Sequence, residues 1–204
     1  MILGVDFDNT LVCYDGLFHA AAVKRGLMPV DGPKDKQGVR QWLIEHGKEA
    51  DFTLLQGYVY GQELKDAKPY PGALECLKAL RTAGAHLFII SHKTVYPYRG
   101  PAFDLRQAAL KWLNDNGFFP NAVFSVEDVF FENTLEEKVL RVAELKCTHF
   151  IDDMERFLLR SDFPIETDRF WFHPFGEQGG VDSGVVEGLR RVDSWVDIIK
   201  LITK

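Results

Sequence analysis

Met1-Ile-Leu-Gly-Val-Asp-Phe-Asp-Asn-Thr-Leu-Val-Cys13 opens the chain, and how this stretch is read decides the fold. A short, mostly apolar run of this kind predicts a buried parallel strand that ends in a polar turn. Asp6 and Asp8 then stand at the carboxyl end of that strand, the end that faces the ligand crevice in open α/β sheets. Two carboxylates so close repel each other unless a cation lies between them. Mg2+ suits this role, because it binds through one or two carboxylates and leaves positions for phosphate oxygens and water. Read locally, Asp8, Asn9 and Thr10 are equally the residues of a turn or a helix cap, so the rest of the chain has to discriminate.

With 204 residues, the chain can form one sizeable core plus an inserted lobe, but not two ordinary domains. Its 46% hydrophobic and 26% charged residues are those of a soluble globular protein. A net charge of −6 leaves no electrostatic footprint for nucleic acid or an anionic membrane surface. No segment reaches the roughly 18 apolar residues of a membrane span, and Asp6 interrupts the first apolar run too early for a signal peptide. Cys13, Cys76 and Cys147 are odd in number and widely spaced, which suggests neither a disulfide framework nor a zinc site. They read as buried or partly buried thiols of a cytoplasmic protein.

From Tyr14 to about Lys68 strand signals vanish. Helical periodicity covers 17–26, 35–46 and 49–64, with Gly26-Leu-Met-Pro-Val-Asp-Gly-Pro33 breaking the first two apart. In the third, Phe52, Leu55 and Val59 share a face. Gly57 and Gly61, four apart, either admit another backbone closely or weaken the helix. Trp42, Phe52, Tyr58 and Tyr60 are expected to form the core of this small lobe.

After Pro69-Tyr-Pro-Gly72 the pattern becomes α/β. A helix is predicted over 73–83, stopped by Gly84, then a strand over 86–91 that ends in Ser91. A helix over 105–116 and a strand over 122–126 follow. Thr134-Leu-Glu-Glu137 has capping-box spacing and starts a helix to about Leu145, with Lys138 in its first turns. Strands over 147–153 and 169–172 and a helix from Val185 to about Thr203 complete the chain. The glycines of Gly176-Glu-Gln-Gly-Gly180 do not link a strand to a helix at dinucleotide-binding spacing, and His149 reads as a structural strand residue. Such alternation predicts a doubly wound, Rossmann-like parallel sheet. The core would comprise 1–13 and 69–204, with a helical insert of 14–68.

Three predicted strands end in groups whose chemistry is complementary. The first ends in Asp6 and Asp8, the second in Ser91, and the third in Asp152 with Asp153. Lys138 comes from the helix before the last of them. If the strands are parallel neighbours, carboxylates from two strands make a Mg2+ site while a hydroxyl and an ammonium bind a phosphoryl group. Each has a plainer reading: a strand-end hydroxyl for Ser91, capping acids for Asp152 and Asp153. For Lys138 it is a solvated helix lysine paired with Glu136 or Glu137, with Lys146 then taking its place.

On these motifs the sequence resembles the haloacid dehalogenase superfamily of hydrolases, in its Asp-x-Asp phosphatase branch with a helical C1-type cap. Asp6-Phe-Asp-Asn-Thr10 matches the first motif, Ser91 the second, Lys138 the third and Asp152-Asp153 the fourth. No proline follows Lys138, as one often does in relatives. The resemblance implies a Mg2+-dependent phosphatase acting on a small phosphorylated metabolite. Asp6 would be the nucleophile and Asp8 the acid and base. The metal would be held by Asp6, the Asp8 main-chain carbonyl, Asp152 and Asp153. Ser91 and the backbone N–H of His92, at a helix start, would hold phosphate oxygens, and Lys138 would offset charge. A phosphotransferase or mutase of the same superfamily and a silent phosphate-binding module are the alternatives. Neither substrate identity nor oligomeric state follows from the sequence.

Overall fold

The computed structural model describes residues 1–174 and 189–202. The chain forms two compact units: Met1–Val12, Pro69–His92 and Gly117–Lys204 make one, and Cys13–Lys68 with Lys93–Asn116 the other. Residues 93–116, expected in the core, thus cluster with the insert. The predicted glycine-rich stretch at 176–180 lies outside the described residues.

The first unit is built on a six-stranded sheet. Its strands are β1 (Ile2–Val5), β2 (His86–His92), β3 (Val129–Glu132), β4 (His149–Asp152), β5 (Asp168–Phe172) and β6 (Leu189–Val192). They lie in the order β3-β2-β1-β4-β5-β6 and are parallel throughout. Val5 faces Ile89 on one side and Ile151 on the other. Leu3, Val5, Leu87, Ile89, Ile90, Phe150 and Ile151 are all buried, which explains why the strands read as continuous apolar runs and not as alternating ones. At Gly4 a Cβ would stand 2.5 Å from Phe150 Cδ2 and 3.2 Å from Cys147 Sγ; the missing side chain is what lets Phe150 pack across β1.

Two predicted elements differ. Residues 122–126 form no strand. Ala122 has a positive φ of 54°, and Ser125 opens a 3-10 turn over Val126–Asp128 by donating its N and Oγ to Asp128 Oδ2 at 2.8 and 3.0 Å. Asp128 is thus the cap of the turn that feeds β3. The C-terminal helix expected from Val185 begins only at Trp195 (Trp195–Ile202), because Leu189–Val192 pairs with β5. Residues 185–188 and 203 lie outside the described residues. Leu189-Arg-Arg-Val192 is an edge strand, and its arginines disguise it.

In the second unit, helices cover Leu17–Lys24, Lys36–Glu45, Glu49–Tyr58 and Leu105–Asp115. Asp35 caps the second by accepting from Gly38 N at 2.8 Å. The helix predicted over 49–64 changes after Tyr58 into a π turn over Val59–Glu63 and a 3-10 turn over Leu64–Asp66. Gly57 and Gly61 admit a neighbour: a Cβ would meet Pro97 Cβ at 2.7 Å on the first and Phe103 Cβ at 2.6 Å on the second. Tyr58 hydroxyl donates to Glu63 Oε1 at 2.6 Å across the π turn, and Trp112 Nε1 donates to Ala67 O at 2.9 Å. Of the four aromatics expected inside, only Phe52 is buried. Tyr58, Tyr60 and Trp42 are half-buried, and Trp42 stacks on His46 with ring centroids 3.7 Å apart. Tyr14, Phe18 and Trp112 are buried in their place. Among the described residues no helix is long and apolar enough to cross a membrane.

Candidate active site

The carboxyl ends of β1, β2 and β4 carry the first, second and fourth motifs, and β1 lies between the other two. Strand order reverses at β1, the position where ligands bind in open α/β sheets. Asp6 follows β1 directly, and its N donates to Ile151 O at 2.9 Å, which fixes it against β4. The chain then folds back tightly. Leu11 N and Val12 N both donate to Phe7 O at 3.0 Å, and Asn9 takes a left-handed φ of 56°, a conformation asparagine tolerates.

Lys138 arrives from the helix Leu135–Glu144. That helix begins as the capping-box spacing predicts, with Thr134 Oγ1 accepting from Glu137 N at 3.1 Å; the Glu137 carboxylate accepts from Asn133 N instead of Thr134 N. This start places Lys138 on the buried face. Its Nζ donates to Asp6 Oδ1 and to Asp152 Oδ2, both at 2.6 Å, and lies 4.4 Å from the Phe157 ring centroid and 5.6 Å from that of Phe150. The plainer reading of Lys138 fails, since Glu137 caps the helix and Glu136 pairs with Arg160 at 3.0 Å. Lys146 is not needed in its place.

Asp152 Oδ1 accepts from Met154 N at 2.8 Å, which shapes the turn after β4. Carboxylate oxygens of Asp6, Asp152 and Asp153 lie within 4.8 Å of one another, a spacing that suits oxygen ligands of one divalent cation at about 2.1 Å each. The electrostatics point the same way. Burial pushes the Asp152 carboxyl up to about 6, with the Asp6 charge adding to the rise and Lys138 opposing it. Burial alone would depress Lys138, yet the charges and hydrogen bonds of Asp152 and Asp6 hold it above the ordinary lysine range. Asp6 and Asp152 share this one ammonium. A divalent cation at the three carboxylates fits their combined charge.

Ser91 is buried one residue before the end of β2, opposite Phe131. His92 is the last residue of β2, and its Nε2 lies 3.0 Å from Asn133 O. No helix starts there, since the next begins at Leu105, so its N–H lacks the helix terminus expected for it. Asp8 is half-buried, bridges to Val12, and its carboxylate stands outside the three-acid cluster. Among the described residues, the sequence reading missed two indoles. Trp171 Nε1 donates to Asp153 O, and Trp195 Nε1 to Thr10 O, each at 3.1 Å. Neither carries a motif or spacing that would have singled it out.

No protein-family model and no curated protein matches the sequence. Solved structures do. A HAD family hydrolase from Deinococcus radiodurans R1 with bound phosphate and sodium superposes with a TM-score of 0.61 at 16% identity, over 99% of this chain and 94% of that one. A predicted phosphoglycolate phosphatase from Haemophilus somnus gives 0.61 at 16%, over 100% and 97%. A HAD-hydrolase from Bacillus subtilis bound to magnesium gives 0.58 at 15%, over 100% and 98%. A six-stranded parallel sheet in this order, flanked by helices and matched over nearly whole chains, is the Rossmann-like fold of the haloacid dehalogenase superfamily hydrolases, and it is the fold of this chain.

Proposed function

We propose that this chain is a Mg2+-dependent phosphatase that hydrolyses a small phosphomonoester through an aspartyl-phosphate on Asp6. The observation that carries the reading is the buried Lys138 ammonium, 2.6 Å from both Asp6 and Asp152 at the carboxyl edge of β1 and β4. A lysine so placed lets one Asp6 oxygen face a phosphorus atom while charge on the other is offset. Asp6 attacks phosphorus, the ester P–O bond breaks, and Asp8 gives its proton to the leaving oxygen. Asp8 then takes a proton from water, which attacks the acyl phosphate and releases inorganic phosphate and Asp6. Asp6, Asp152 and Asp153 with the Asp8 main-chain carbonyl would hold Mg2+, which supplies charge neutralisation for an incoming phosphate. Ser91 supplies a hydroxyl to the phosphoryl oxygens, and the His92 N–H is the neighbouring donor at the strand end.

Residues 14–68, together with 93–116, are proposed as the cap that selects the substrate. Three free thiols accord with a cytoplasmic setting. The test is hydrolysis of an aryl phosphate and of a panel of phosphorylated sugars, nucleotides and organic acids, with Mg2+ and with chelator. Turnover that needs Mg2+ and is absent in Asp6→Asn supports the reading; turnover retained in Asp6→Asn overturns it. Phosphate release against transfer to added alcohols separates hydrolase from phosphotransferase.

A further inference from the structure

We infer that Trp171 is a positioning residue for the metal site, acting through the main chain of Asp153; this rests on the Mg2+ reading above. Trp171 stands directly opposite Asp152 in the β4–β5 ladder, and its indole N–H donates to Asp153 O at 3.1 Å. Asp152 Oδ1 takes Met154 N at 2.8 Å on the other side of that carbonyl. The peptide group that joins Asp153 to Met154, in the turn that presents both acids, is thus held at its carbonyl and at its N–H. The indole is itself braced. It packs on the cluster of Ile90, Phe150 and Phe157, two of whose rings flank Lys138, and the Arg191 guanidinium lies 5.7 Å from its ring centroid. Outer residues of this kind orient metal ligands, and their loss weakens metal affinity.

The donor, not the bulk, is the active feature, and two variants separate them. Trp171→Phe keeps most of the apolar ring and removes the N–H. Trp171→His removes the second ring but keeps an N–H, because Nε2 of a histidine falls where the indole nitrogen lies. Mg2+ affinity is measured by calorimetric titration of the full chain at pH 8, with melting curves in chelator run in parallel. Thr167→Val serves as the control, since it deletes a side-chain bond to Cys147 O of 2.7 Å at the opposite end of β4. Trp171→Phe should bind Mg2+ about 5- to 10-fold more weakly, as one lost hydrogen bond implies. Trp171→His should recover most of that loss despite melting lower, and Thr167→Val should bind as wild type does. Equal affinity in Trp171→Phe and wild type, or weaker binding in Trp171→His than in Trp171→Phe, overturns the inference while leaving the metal site standing. A wild-type chain that takes up no Mg2+ overturns both.

Discussion

Replacing Lys138 by methionine keeps the volume of the side chain and removes the ammonium that lies 2.6 Å from both Asp6 and Asp152. The lysine is 1% exposed, and its partners 7% and 0%, so water cannot take over its role. Taking one partner from a buried ionic cluster costs about 3–5 kcal/mol. For a chain of this length, each kcal/mol lowers the melting temperature by about 2–4 °C. In chelator at pH 8, Lys138→Met should therefore melt roughly 6–20 °C below wild type. The pH dependence carries the sharper signature. In the wild-type chain Asp152 is raised from 3.8 to about 6, so the folded state binds its proton more tightly than the unfolded state does. The contribution of this carboxyl to stability without metal accordingly falls as pH rises between about 4 and 6, then levels off. Without Lys138 the opposing charge is gone and the carboxyl rises further, so acidification to pH 5 should return part of what the substitution removed. Mg2+ should also raise the melting temperature of the variant, without restoring turnover. Circular dichroism melts at pH 8 and pH 5, with chelator and with Mg2+, read all of this. A variant that melts within about 2 °C of wild type in chelator, with a gap indifferent to pH, refutes the account of Lys138 as the counter-ion of two buried acids.

Thiol reactivity should divide the cysteines. Burial pushes Cys76 and Cys147 up to about 12, whereas Cys13 is only half-buried; an aromatic disulfide reagent at pH 8 should titrate one thiol rapidly and two more only in denaturant. Three fast thiols would contradict the packing beneath β4 and along the helix Ala73–Thr82. Glu63 in the π turn is held below the usual carboxylate range, chiefly by the Tyr58 hydroxyl and despite its burial. A depressed acid stabilises above its unfolded value of 4.5 and loses that contribution as pH falls through the folded one. Glu63→Gln should cost about 1–2 kcal/mol at pH 7, and its denaturation curve should converge with wild type in acid; a pH-independent difference would show that the charge is irrelevant.

Much of this architecture is legible in the chain, for physical reasons. Strands buried on both faces must be apolar throughout, so Ile2–Val5, His86–His92 and His149–Asp152 stand out, and the acids that end two of them are conspicuous by contrast. Thr134 and Glu137 locate the helix start to the residue. What escapes is whatever tertiary pairing decides. Leu189-Arg-Arg-Val192 is a strand only because β5 has an open edge. The helix Leu105–Asp115 has the amphipathic period of a core crossover, yet it belongs with the insert. That Lys138 meets Asp6 across 132 positions of sequence is invisible to any local pattern, and the indole donors of Trp171 and Trp195 are bonds to carbonyls, which carry no residue identity at all.

The meeting of Asp6 with Asp152 depends in turn on register. Side chains alternate across a strand, so a one-residue slip of β4 against β1 would turn Asp152 to the opposite face and leave Lys138 with a single partner. Apolar runs specify register poorly by themselves, because leucine, valine and isoleucine fit either neighbour. Gly4 removes the ambiguity. Paired with Phe150, it is the position in β1 where the ring can lie across the strand, and a Cβ there would come within 2.5 Å of it. The same ring stands 5.6 Å from the Lys138 ammonium. A glycine two residues before the proposed nucleophile thus sets the strand pairing, the strand pairing sets Asp152 beside Asp6, and the aromatic ring that it admits walls the lysine that both acids share.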